Sequence, residues 1–395
     1  MKYIHPHNKD KLFVDWRNPS VRLEGFLRWL KWRMRWCDLD HYACNNAYRD
    51  ANEKMSPTGK PMTIEQSYWF SLIFGMTYQS EMAWVIYWHF PNFWEINFKE
   101  LQEWNVSTIN IQKYAKDTKY NKGRIVEQVK SLRTVIEPFG SIENFFNQNL
   151  GSTEHESFEN CFSLCMSFHK YGRMCSWITC QTLYETANLP IRPSNVLATD
   201  PSCWSVRSGL LYIYGKDEMI EKSDKKTFFS ENDLKFIRNK EIELYNTTIE
   251  YIDEQDRNIY SNYLLESHLC QYKKLMLGGD YAGHSSGDHF SRALWLKKRW
   301  PDVNFDAFFI NAANRHCSLV RNKRESKQLR FLCAKTGQMI NMHEDFDDMP
   351  NMYKELGITP EMFLEHGIYE DQVKKSIDFY VDRVYNDLNI LDNFF

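Results

Sequence analysis

The stretch FHKYGRMCSWITCQ, Phe168 to Gln181, constrains the fold more than any other part of the chain. It lies in a strongly apolar region, yet it carries Lys170, Tyr171, Arg173 and Gln181. An unpaired charge in a protein interior is heavily penalised by lost hydration. A fold that buries this segment must therefore pair these groups internally, or let them line a cavity that receives a charged ligand.

At 395 residues the chain is long enough for one large or two ordinary domains. Charged residues make up 26% and the net charge is −3, so any attraction for phosphate has to come from a local patch. Aromatics reach 15%, with 13 Trp, 22 Tyr and 26 Phe; most must be core, and the excess also suits stacking on bases. The ten cysteines contain no CxxC pair, and Cys161, Cys165, Cys175 and Cys180 fall in an apolar helical region, the pattern of buried thiols in a reducing compartment. Met1 leads directly into a charged start, and the most apolar run, 69–90, is interrupted by Gln79, Ser80 and Glu81. The expectation is a soluble intracellular protein with no membrane association.

Helical periodicity dominates. Residues 20–36 carry Arg28, Lys31 and Arg35 on one stripe and Trp29, Trp32 and Trp36 on the next, which favours a helix packed through its tryptophans over a phosphate-contacting one. Thr63-Ile64-Glu65-Gln66 fits a capping box opening a long helix that ends before Pro91, with a kink or close approach at Gly75. DTKYNKGR, 117–124, reads as a polar loop, followed by helices over 125–136 and 142–149. A helix over about 158–186 with a break at Gly172 comes next, then a proline-bearing turn, 189–195, and the loop DPSCWSVRSG, 200–209. Residues 216–257 form a charged helical excursion, and YLLESHLCQYKKL, 263–275, returns to core. Helices are expected over 305–320 and from Thr359-Pro360 onward. Strand-like alternation is scarce. The reading is a mostly α-helical fold, with one domain over 1–290 and a C-terminal helical region, 291–395, packed on the same core.

No P-loop, GxGxxG, GxSxG or HExxH occurs, which argues against nucleotide kinases, Rossmann oxidoreductases, α/β-hydrolases and zincins. His284, Asp288 and His289, and separately Cys37, His41 and Cys44, lack diagnostic metal spacing; no metal and no cofactor is expected. What remains are four clusters of cations, acids and aromatics at the ends of apolar helices. They are Asp117/Lys119/Lys122, Lys170/Tyr171/Arg173, Asp200/Arg207 and Glu266/Tyr272/Lys273/Lys274. Together they fit a convergent anion site, with Arg for bidentate and Lys for point-charge contact to phosphate, and the acids orienting or deprotonating a nucleophile.

The segments 65–85, DTKYNKGR, FHKYGRMCSWITCQTL, DPSCWSVRSGLLYIYG and ESHLCQYKKL, in that order over roughly residues 20–290, resemble the bacteriophage amino acid:DNA transferases, grouped with the α-glutamyl/putrescinyl thymine pyrophosphorylases. The chain departs from the family where Cys203 and Trp204 precede the arginine, and it carries no LPGVG-type hairpin. The resemblance implies a fold related to helix-hairpin-helix DNA glycosylases and a role in thymidine hypermodification. The implied substrate is double-stranded DNA in which 5-hydroxymethyluracil has been phosphorylated or pyrophosphorylated by a separate kinase. The implied reaction replaces that leaving group with an amino acid or amine, in the cytoplasm of an infected bacterial host.

Under that resemblance Lys170, Arg173, Lys119, Lys122 and Arg207 would face the departing phosphate, and Asp117, Asp200 or Glu266 would act as the base. Tyr171 or Trp177 would stack on the uracil, and Gln181, Tyr272, Lys273 and Lys274 would bind substrate. Lys170 and Arg173 facing the leaving group, with Tyr171 facing the base, is the narrowest form of the expectation. Excision of a modified base, and DNA binding without catalysis, are the alternatives.

Overall fold

The computed structural model describes residues 12–15, 18–36, 49, 56–115, 124–276, 296–297, 299–305, 329–332 and 339–341, and it is mostly helical. The chain divides into two compact units. The first holds Met1–Leu39, Pro193–Ser285 and Arg315–Asn351; the second holds Asp40–Arg192, Ser286–Asn314 and Met352–Phe395. The boundary expected near residue 290, the helices expected over 305–320 and after 359, and Asp117, Lys119, Lys122, Cys37, His41, Cys44, His284, Asp288 and His289 lie outside the described residues.

In the second unit, α2 (Ile64–Thr77) opens with the expected capping box. Thr63 Oγ1 accepts from the Gln66 amide, and the Gln66 side chain accepts from the Thr63 amide at 2.9 Å. The long helix expected up to Pro91 is two. Tyr78 takes the left-handed conformation (φ 58°) and ends α2, and α3 (Ser80–His89) restarts at once. Gly75 is not the break. It is the expected close approach instead: a Cβ there would meet Thr179 Oγ1 at 1.9 Å and the Cys175 carbonyl at 2.9 Å, on the helix packed against α2.

After α4 (Phe98–Ala115) come α5 (Ile125–Ile136), with boundaries as expected, and α6 (Ile142–Asn147). Glu65 pins the start of α6, accepting from the Ile142 and Glu143 amides at 2.8 and 2.9 Å and from Trp94 Nε1 at 3.0 Å. α7 (Glu154–Ser167) and α8 (Arg173–Ala187) replace the single helix with a break, and Phe168 to Gly172 join them. Residues 189–195 are non-helical, as the prolines require.

The first unit packs α1 (Pro19–Trp36), α9 (Trp204–Tyr214), α11 (Glu231–Tyr251) and α13 (Asn262–Met276), with the short α10 (Asp217–Asp224) and α12 (Glu254–Arg257) beside them. Its core includes Phe26, Trp29, Leu210, Leu244, Leu265 and Tyr272. The expectation for α1 holds at Trp29, which is buried, while Arg28 pairs with Glu24 at 3.0 Å. Gly209 allows α9 to touch α13, since a Cβ would sit 2.0 Å from the Leu269 carbonyl oxygen. A small sheet adds what alternation did not announce: β1 (Leu12–Asp15) pairs parallel with β2 (Leu329–Leu332), which pairs antiparallel with β3 (Met339–Asn341).

Two buried features generate predictions. Replacing Gly75 or Gly209 with alanine forces the helix pairs apart, and each is expected to cost roughly 2–3 kcal/mol in urea unfolding. Glu241 is 2% exposed and accepts from the Val196 and Ala198 amides, and burial raises its pKa to about 7. The folded state thus holds this proton where the unfolded chain has lost it. The stabilisation is complete below the usual carboxylate range and fades as pH rises through 7. Unfolding free energy should fall on the order of 2 kcal/mol between pH 5 and 8, and Glu241→Gln should flatten that slope.

Candidate active site

The turn into α8 is built by backbone geometry. Lys170 adopts φ 62°, a conformation unfavourable for a side-chain-bearing residue, and the Tyr171 amide bonds the Phe168 carbonyl at 3.0 Å. Gly172 then caps α8 in an extended conformation and supplies no side-chain hydrogen bond, so the first amides of the helix are not covered by a capping side chain. Lys170 is exposed at this turn, and Arg173 is half-buried with its guanidinium 5.5 Å from the Trp177 ring centroid. Two cationic residues thus adjoin the start of α8 along the backbone, where the helix dipole is also positive.

Tyr171 sits differently from the role expected of it. Its ring is buried against Phe168, its hydroxyl donates to the Leu72 carbonyl at 2.8 Å, and burial holds its pKa well above the ordinary value. It ties the turn to α2. Trp177 is fully enclosed, meeting Phe158 edge-on at 5.5 Å. Gln181 lies about 12 Å along α8 from Arg173 at 1.5 Å per residue. It donates to Glu185 Oε1 at 2.8 Å, so it belongs with a second, inner polar group. On the neighbouring α2–α3 junction, Thr77, Gln79, Ser80 and Glu81 are also buried, with Ser80 Oγ donating to Glu81 at 3.3 Å.

The other described candidates lie in the first unit. Asp200 shapes the entry to α9, where its carboxylate accepts from the Ser202 amide at 2.7 Å and its carbonyl from the Cys203 amide at 2.9 Å. Arg207 is buried with its guanidinium over Phe229 at 5.0 Å, and its Nε has no acceptor among the described residues. Burial lowers its pKa, opposed by Cys203 and Asp200. Lys273 places its ammonium 3.6 Å from the Trp204 ring centroid, and Lys226 approaches the same ring at 4.3 Å. Glu266 and Tyr272 are buried on α13, Tyr272 packing edge-on to Phe26 at 5.1 Å, while Lys274 is half-buried.

Among the described residues no group of three or more His, Cys, Asp or Glu could hold a metal ion, and no helix is long and apolar enough to cross a membrane. A family model described as amino acid:DNA transferase matches residues 49–281, more than half of the chain. The chain belongs to the amino acid:DNA transferase family. No curated protein and no solved structure matches it.

The matched span of this amino acid:DNA transferase contains the three clusters described above, and also the loop 117–124. Sequence reasoning missed the buried carboxylates Glu81 and Glu185, and it left Trp204 unexplained. A tryptophan three residues before a helical Arg, in a segment otherwise rich in small residues, was the available signal. Because both Lys226 and Lys273 rest on that ring, Trp204→Ala should loosen both ammoniums and destabilise the protein by about 3 kcal/mol, read by thermal unfolding.

Proposed function

We propose that this family member replaces the phosphate or pyrophosphate on a 5-(phospho)methyl-deoxyuridine in double-stranded DNA with an amino acid or amine, giving a hypermodified thymidine. The observation that carries the reading is the α8 N-terminus, whose N-cap Gly172 supplies no side-chain hydrogen bond and which Lys170 and Arg173 flank in sequence within the family-matched span. A departing phosphate accumulates negative charge on its oxygens. Amides that need no reorganisation and a guanidinium braced on Trp177 are suited to receive it.

The balance of the step follows from the substrate. The carbon–oxygen bond at the C5-methylene breaks, phosphate leaves with the electron pair, the donor's nucleophilic atom bonds the methylene, and a base takes its proton. Asp117 is the acid proposed for that base. Asp200 shapes the entry to α9 through its bonds to Ser202. Tyr171, a neutral donor locked to Leu72, fixes the Lys170 turn. A kinase acting beforehand supplies the phosphorylated base, consistent in chemistry with a chain that has no P-loop.

Incubation with duplex DNA bearing 5-phosphomethyl-deoxyuridine or its pyrophosphate, together with amino acids and polyamines, tests the reading by nucleoside mass spectrometry. The expected result is a new nucleoside with matching release of phosphate or pyrophosphate. Arg173→Ala should lower kcat on the order of a hundredfold with DNA affinity changed only a few-fold. Abasic sites in place of the new nucleoside, or no product with any donor, would overturn it.

A further inference from the structure

Arg207 is 6% exposed near the start of α9, yet its side chain makes no hydrogen bond and no ion pair among the described residues, and its Nε is enclosed without an acceptor. The Phe229 ring lies at 5.0 Å, and a ring face returns only part of the hydration that burial removes. Other arginines packed into the protein are satisfied. Arg22, 1% exposed, donates to the Gly215 carbonyl at 2.7 Å and pairs with Asp217 at 3.5 Å, and Arg133 donates to the Phe93 and Ile96 carbonyls. A guanidinium keeps its proton in proteins, so neutralisation offers no escape from the cost. The fork of Arg207 thus has donors to spare for an anion that the described residues do not supply.

The neighbours decide which anion fits. Asp200 lies in the turn that leads into α9. Its Oδ1 accepts from the Ser202 amide at 2.7 Å and the Ser202 hydroxyl at 2.5 Å, while Oδ2 accepts nothing among the described residues. Asp200 acts on Arg207 electrostatically, opposing the effect of burial, yet the two form no ion pair with each other. They are near but apart, a cation and an anion with a gap between them. Lys226 and Lys273 lie over the Trp204 ring, at 4.3 and 3.6 Å, one helical turn before Arg207. A phosphate dianion on Arg207 would set its second charge against Asp200, and a polyamine would meet Arg207 with like charge. A molecule with one carboxylate and one ammonium matches both ends.

We propose that the start of α9 holds the donor amino acid as its zwitterion, Arg207 taking the carboxylate through two parallel hydrogen bonds and Asp200 Oδ2 taking the ammonium. The family description supplies the class of molecule, and the inference rests on the transfer reaction proposed above only in calling that amino acid the donor. A free carboxylate becomes the feature by which the donor is selected, so amino acids are accepted and polyamines are refused. A site built to pair a carboxylate discriminates strongly against an analogue that lacks it, because the guanidinium is then left buried and unpaired.

The test is binding, measured by saturation-transfer NMR on the full chain with an ordinary duplex that carries no leaving group, so that no transfer can occur. The probes are the standard amino acids, their carboxamides, putrescine and inorganic phosphate. At least one amino acid should bind, with its carboxamide and putrescine about a hundredfold weaker. Arg207→Gln should weaken that amino acid about a hundredfold, and Arg207→Lys about tenfold, since an ammonium lacks the planar fork. Asp200→Asn, which keeps an acceptor for Ser202, should weaken it about tenfold. The carboxamide comparison needs no variant and decides the matter where one does not fold. A carboxamide bound as well as its acid, a preference for phosphate, or equal affinity in Arg207→Gln or Asp200→Asn overturns the proposal, as does the binding of no amino acid. A new nucleoside formed by a protein whose amino acid binding ignores Arg207 would sink this inference and leave the transfer reaction standing.

Discussion

The arrangement depends on two places where helices meet without an intervening side chain. At Gly75 the α2 backbone lies against Thr179 and Cys175 of α8, and at Gly209 the α9 backbone lies against Leu269 of α13. Close contact of this kind fixes the axial position of one helix on another, because any side chain would wedge the pair apart. Each fixed helix carries cations near its N-terminal end: Lys170 and Arg173 at α8, Arg207 one turn into α9. Tyr171 adds a polar tie, its hydroxyl held by Leu72, so that the turn before α8 is set from both sides. The positions of the charges follow from the packing of the glycines.

Charge on this protein is therefore a local matter. With acids and bases nearly balanced overall, field strength comes from where the surroundings exclude water and where dipoles align. Arg173 is braced on Trp177, Arg207 on Phe229, and Lys226 and Lys273 on Trp204. Each cation has an aromatic surface that limits its freedom. That repeated pairing gives the high aromatic content a use beyond filling the core, and it suits a family whose substrate is a polyanion.

Much of the local structure was legible in the sequence. The capping box at Thr63, the helix 125–136, the non-helical prolines and the interruption at Gly172 all follow from rules that act over a few residues. What was not legible involves partners distant along the chain. Tyr78 in a left-handed conformation divides a helix that local propensity would continue. Glu65 looks like a first-turn acid, yet its carboxylate serves α6 almost eighty residues on. Strands of three and four residues are too short to announce a sheet that joins residue 12 to residue 329. Of the candidate site, Lys170 and Arg173 drew attention because charge in an apolar segment is conspicuous. The hydroxyl of Tyr171 is satisfied by the Leu72 carbonyl, a partner that no local pattern reveals. Trp204 stood out only as a departure from the family, because the cations that rest on it, Lys226 and Lys273, come from elsewhere along the chain.

The central claim is that the uncapped start of α8, with Lys170 and Arg173, receives the phosphoryl leaving group. Crystals of the protein soaked in tungstate, a heavy analogue of phosphate, address it directly through anomalous diffraction. The account predicts an anomalous peak within hydrogen-bonding distance of the first α8 amides and the Arg173 guanidinium, lost in crystals of Arg173→Ala. Peaks elsewhere with none at the start of α8 would contradict it.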